Sequence, residues 1–130
     1  MSESIVKTWL AAIIRTAGEG DHKTHMDLIS KKVNLVGVPG FESIGFEDWS
    51  NQCQHEFNDK LITEIQYQGL KIRAETELRI MFVTHETILA SDGTKNQQGI
   101  ECLLEKEEDG QWRLTQQRIL GEDETTQYLK

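Results

Sequence analysis

Residues 77–120 read ELRIMFVTHETILASDGTKNQQGIECLLEKEEDGQWRLTQQRIL, and this stretch decides the fold. Two strand-like runs, 77–90 and 95–106, flank Ser91-Asp92-Gly93, and a third, 111–120, follows Glu108-Asp109-Gly110. Asp-Gly between alternating apolar runs is a strong hairpin signal, because glycine accepts the positive φ that the turn requires. Three long antiparallel strands are therefore predicted. Treating both turns as three-residue loops places Phe82 opposite Cys102, Ile80 opposite Leu104, Leu104 opposite Leu114 and Cys102 opposite Gln116. Side chains alternate with period two. Ile80, Phe82, Ile100, Cys102, Leu104, Trp112 and Leu114 then share one face, with Thr84, Glu86, Gln98, Gln116 and Arg118 farther along it. A two-residue Asp92-Gly93 turn would instead bring Met81 and Val83 beside Leu104 and Cys102. The first register is preferred because it gathers the largest side chains on one side.

The segments before this stretch supply a cover for that face. Ile5, Val6, Trp9, Leu10, Ile13, Ile14 and Ala17 recur at steps of one, three and four, the pattern of an amphipathic helix capped by Ser2 or Ser4. Gly18-Glu19-Gly20 ends it, and Asp21 can cap a short helix reaching about Ile29. A strand over 32–38 stops at Pro39-Gly40, and a short return strand follows over 41–45. Phe46, Trp49, Cys53 and Phe57 mark the apolar stripe of a third helix. Residues 61–74 have strand character, with Gly69 as a bulge or bend. Helices gathered on one face of a bent antiparallel sheet make an α+β domain. One domain over 1–121 is expected, followed by a loose polar tail over 122–130.

With 130 residues, a formal charge of −8 and 28% charged residues, the chain is long enough for one core and disfavours nucleic acid and anionic membranes. No apolar run approaches the roughly 20 residues of a membrane span. The N-terminus lacks the basic start and apolar core of a signal peptide. Cys53 and Cys102 form no Cys-x-x-Cys pair. A cytoplasmic protein is the expectation.

The order of elements, Gly20-Asp21 after the first helix, Gly45-Phe46 opening the third, Asp92-Gly93 and Asp109-Gly110-Gln111-Trp112 resemble the nuclear transport factor 2-like, or SnoaL-like, superfamily over residues 4–120. The resemblance implies a cone: a curved antiparallel sheet, mixed at its edge, with three N-terminal helices on the concave face. It spans isomerases, dehydratases, hydrolases, cyclases and noncatalytic modules, so fold alone does not give function. Ketosteroid isomerase-like members carry a general-base Asp, an oxyanion-hole acid and a first-helix Tyr. The matching positions here fall near Gly37, Cys102 and Ile13, and none carries the required group.

The implied site is a cone cavity bounded by Trp9, Ile13, Trp49, Cys53, Phe82, Cys102, Trp112 and Leu114, with Glu86, Gln116 and Arg118 at a polar end. That composition suits a small, largely apolar ligand bearing one or two oxygens. The alternative is a small cofactor-independent lyase, isomerase or hydrolase using a cavity carboxylate, arginine or histidine. No cofactor is implied. His22 and His25 lack the convergent ligands of a metal site and read as a surface helix. His85 faces away from the cone, and His55 points off the apolar helix stripe. Met81, Val83, Leu89, Leu103 and Ile119 should form an uncovered apolar patch on the opposite face, through which a homodimer is expected.

Overall fold

A computed structural model describes residues 2–38, 40 and 42–129. The elements are α1 (Ser2–Glu19), α2 (His22–Met26), β1 (Ile29–Val36), α3 (Phe46–Asn58), β2 (Ile62–Glu75), β3 (Arg79–Ala90), β4 (Lys95–Lys106), β5 (Trp112–Leu120) and α4 (Glu122–Leu129). The five strands form one open sheet in the order β1-β5-β4-β3-β2. All neighbours are antiparallel except β1, which runs parallel to β5, so the sheet is mixed at that edge. Pro39 and Phe41, part of the expected stop and return strand, lie outside the described residues. Ile44 makes an isolated antiparallel bridge to Leu35.

The three-residue loop at Asp92-Gly93 sets the register expected from the largest side chains. Phe82 pairs with Cys102, Ile80 with Leu104, and Leu104 with Leu114. These five side chains are fully buried on the concave face. Trp9 of α1 meets Phe82 edge-to-face, with centroids 6.5 Å apart, and its Nε1 donates to the Leu28 carbonyl at 3.1 Å. Val6, Leu10, Ile13 and Ala17 complete the buried stripe of α1, while Ile14 is exposed. Gly69 has a φ of +73°, and the β2–β3 register shifts between Gln68 and Lys71, the bulge its glycine implied.

One irregularity redirects the end of β5. The β4–β5 register shifts between Leu103 and Leu104, so that Leu103 faces Gln116, Leu104 faces Leu114, and Thr115 is the extra residue. A bulge of one residue reverses which side chains face inward beyond it. Cys102 therefore lies opposite Gln117 rather than Gln116. Gln117 and Ile119 turn to the concave side, and Gln116 and Arg118 turn away from it.

The convex face is closed by the chain's own end. Residues 122–129, expected as a loose tail, form α4, which packs across β2, β3 and β4. A Cβ on Gly99 would overlap the Thr125 side chain, and one on Gly69 would come within 3.5 Å of Leu129. Small residues at these points let the helix sit close to the sheet. Arg118 extends over the same face to Glu124, both contacts at 3.1 Å, and to Glu101 at 3.3 Å. Arg73 reaches Glu101 at 2.7 Å and lies 4.2 Å from the Tyr128 ring centroid. Val83, expected in an open patch, is fully buried, and Met81, Leu89 and Leu103 are half-buried. The fifth residue of that patch, Ile119, is on the concave side.

Candidate functional site

The polar end of the concave face is a row across three neighbouring strands. Tyr67 on β2 lies beside Glu86 on β3, which lies beside Gln98 on β4. The Tyr67 hydroxyl donates to Glu86 Oε2 at 3.0 Å, and Gln98 Nε2 donates to Oε1 at 3.3 Å. Glu86 is only 8% exposed and no cation contacts it among the described residues. Burial raises its pKa above the ordinary carboxylate value, and the two donated hydrogen bonds oppose that rise without cancelling it. One strand over, the Cys102 thiol donates to Gln117 Oε1 at 3.6 Å; burial first, then the charge of Glu86, keeps it a thiol.

The expected site residues divide into five groups. Phe82, Cys102, Leu114 and Ile13 belong to the packed core, which leaves them little surface for a ligand. Trp9 and Trp112 line a shallow groove of about 350 Å³ between α1 and the β4–β5 hairpin. Trp49 and Cys53 line a different cleft, of about 610 Å³, between α3 and the end of β1. Glu86 lines none of the clefts described here, and Gln116 and Arg118 are carried to the other face by the bulge. The residues expected to share a single cavity are thus divided among aromatic groove, packed core, polar row, α3 mouth and convex face.

The α3 mouth adds residues that sequence reasoning passed over. Leu35 and Ile44, joined by their bridge, form one wall, and Trp49 and Cys53 form the other. Asp48, Asn51, Gln52 and Glu56 rim it. The helical spacing of Asp48, Gln52 and Glu56 at i, i+4 and i+8 was a legible signal for a polar edge beside the apolar stripe. Burial and the nearby Glu56 carboxylate push the Cys53 thiol up to about 12, so it serves as wall rather than nucleophile. Tyr67 was also legible: it follows Ile65 by two residues, ahead of the Gly69 bulge, and so shares its face.

The histidines act as ties. His25 is buried, not on a surface helix, because its Nδ1 sits 2.8 Å from Thr16 Oγ1 and its ring stacks edge-to-face on Phe57 at 5.1 Å. Thr16 Oγ1 also lies 2.8 Å from the Ala12 carbonyl, which ties the His25 contact back into α1. His22 Nε2 lies 3.0 Å from the Ser50 carbonyl and so joins α2 to α3. His55 faces solvent beside Asp59, and His85 is on the convex side, opposite Gly99.

No family model matches the sequence, and no curated protein matches it. Solved structures do match the fold. An NTF-2 like protein of unknown function from Shewanella oneidensis superposes with a TM-score of 0.76 at 16% identity, covering 92% of this chain and 98% of that one. An NTF2-like protein with a cystatin-like fold from Novosphingobium aromaticivorans gives 0.73 at 14% identity, covering 98% and 88%. A protein provisionally named a dehydratase of the NTF2-like family, from Streptomyces avermitilis, gives 0.66 at 17% identity, covering 89% and 92%.

Proposed function

Since the chain has the NTF2-like fold, we propose that it is a binding module for a small, largely apolar molecule held at the mouth between α3 and β1. The observation that carries this reading is the cleft itself. Its volume of about 610 Å³ falls within the roughly 300–1,000 Å³ of small-molecule sites. Leu35, Ile44, Trp49 and Cys53 supply apolar wall, and Gln52, Asn51, Asp48 and Glu56 supply a few directional polar groups. Two carboxylates at the rim repel anions, so the ligand is neutral and donates a hydrogen bond, as a hydroxyl or amide does. Titration of the full chain with 2-naphthol, followed by tryptophan fluorescence and amide NMR shifts, tests this. Saturable binding with shifts on α3 and β1 is expected, weakened roughly tenfold by Trp49→Ala through loss of aromatic contact. Absence of saturable binding, or shifts confined to other elements, would overturn the reading.

A second reading has one observation in its favour. Glu86 combines an upward-shifted carboxyl with the Tyr67 hydroxyl, the kind of pair that can supply a general acid to a cofactor-independent lyase, isomerase or hydrolase. That chemistry requires the substrate to reach a carboxyl that is 8% exposed. Turnover of a neutral hydroxy-ketone that disappears in both Glu86→Gln and Tyr67→Phe, with the fold intact, would favour it over simple binding.

Self-association is part of the proposal, with its geometry revised. A dimer through the convex sheet requires α4 either to join the contact or to lift from it. Light scattering of the full chain against a chain ending at Gly121 distinguishes these. A dimer only after truncation means that α4 competes with the partner, and monomers in both remove the assembly.

A further inference from the structure

We propose that the cleft between α2, β1 and the β4–β5 hairpin is a separate binding site for a small amphiphilic anion. The cleft holds about 960 Å³ and is lined by Met26, Ile29 and Phe46 together with Lys23, Lys31 and Lys32. Three features give it its character. The first is a backbone irregularity. In a regular strand Lys31 and Lys32 would point to opposite faces. The β1–β5 register shifts between Ile29 and Asn34, and the Lys32 amide turns to the Ser30 hydroxyl at 3.1 Å. Both lysines border the same cleft as a result.

The second feature is the commitment of every carboxylate in the lining. Arg113 binds Glu107 at 3.0 Å and Asp27 at 3.1 Å, and Ser30 adds a hydrogen bond to Glu107 at 2.9 Å. Arg113 also binds Asp109 at 2.8 Å, so one guanidinium engages three carboxylates, and Asp27 and Glu107 are held by it rather than by the lysines. Among the described residues, Lys23, Lys31 and Lys32 enter no ion pair with a carboxylate. The third is contrast with the whole molecule. A chain with formal charge −8 gathers three cations without an ion pair at this cleft of about 960 Å³, above an apolar floor. Cations beside apolar side chains select a ligand with an anionic head and a short hydrocarbon body, such as a medium-chain carboxylate or its phosphate-ester counterpart. Neutral donors belong to the α3 mouth, so the two sites sort ligands by charge.

Titration of the full chain with octanoate, octyl phosphate, 1-octanol and acetate, read by amide NMR shifts, tests the site. Octanoate or octyl phosphate should shift α2, β1 and the hairpin saturably. Octanol and acetate should bind at least tenfold more weakly, because each keeps only one half of the recognition. Lys31→Gln with Lys32→Gln should weaken the anions about tenfold, the loss expected of two partly exposed charge contacts, and raised salt should act in the same direction. Lys71→Gln, on β2, should change nothing. Trp49→Ala should leave the anions unaffected, which separates failure of this site from failure of the α3 mouth. Octanol binding as well as octanoate, an unchanged double lysine variant, or shifts that move to the α3 mouth would each overturn the proposal.

Discussion

The two faces of the sheet hold carboxylates under opposite conditions. Glu86 on the concave face has only neutral partners, Tyr67 and Gln98. Glu101, one strand away on the convex face, sits between Arg73 at 2.7 Å and Arg118 at 3.3 Å. The concave side is closed by apolar stripes on α1 and α3, and it leaves its carboxyl to two neutral hydrogen bonds. The convex side is closed by a polar helix, α4, and holds its charge with arginines. Apolar packing thus makes the inner face insensitive to salt and sensitive to cavity formation, whereas the outer face depends on geometry and ion pairing.

The largest expected effect tests the inner face. Phe82→Ala removes a fully buried ring beneath Trp9 and should cost about 3–5 kcal/mol in denaturant unfolding. A loss under 1 kcal/mol would mean that the concave core is not what holds the sheet.

Acid should strike the helical layer that closes the same face. Burial, with a smaller contribution from His22, lowers the His25 pKa from 6.5 to about 4. The unfolded chain therefore binds the proton first. Stability present above pH 6.5 is lost as the pH falls towards 4, by about 3 kcal/mol at most. His25→Asn should flatten that limb in a pH series of thermal melts.

On the outer face, Gly99→Ala forces a Cβ into Thr125. It should cost about 1–3 kcal/mol or release α4, either of which appears as faster proteolysis near Gly121. An unchanged cleavage rate and melting temperature would deny that α4 is seated there.

Arg118→Ala sharpens the contrast. It should lower stability by only about 0.2–1 kcal/mol, with the loss shrinking in salt, since Arg118 bridges partly exposed carboxylates. Its effect on 2-naphthol binding should be nil, because it faces away from the cone.

The smallest change is expected at Glu86. Its folded pKa is raised above 4.5, so its contribution is fully present below that value and is lost as the pH rises through the folded pKa. Glu86→Gln should remove this descent and leave the melting temperature below pH 4.5 nearly unchanged. A steeper descent in the variant would reverse the sign assigned to the site.

Most of the fold could be read before any coordinate. Alternation from Ile80 to Leu104 and the Asp-Gly turns specified the inner face, because a one-residue slip would turn the whole apolar set to solvent. The i, i+3, i+4 spacing of Trp9 and Ile13, and of Trp49 and Cys53, put α1 and α3 over it. Less of the candidate site was legible. Trp49 and Cys53 do line a cleft, and its opposite wall comes from Leu35 and Ile44, on the expected strand and return strand, but nothing local brings that pair against α3.

Local chemistry in the sequence determined which residues form strands and helices, and which apolar side chains must be buried together. Periodicity and turn stereochemistry are properties of neighbouring residues. The tertiary structure alone decided the fate of Gln116 and Arg118, since the bulge at Thr115 answers to the strand pairing of β4 and β5. It also decided that 122–129 is a helix. That segment has few apolar residues, and its partners, Gly99, Gly69, Arg73 and Arg118, are scattered over three strands and meet only when the sheet is assembled.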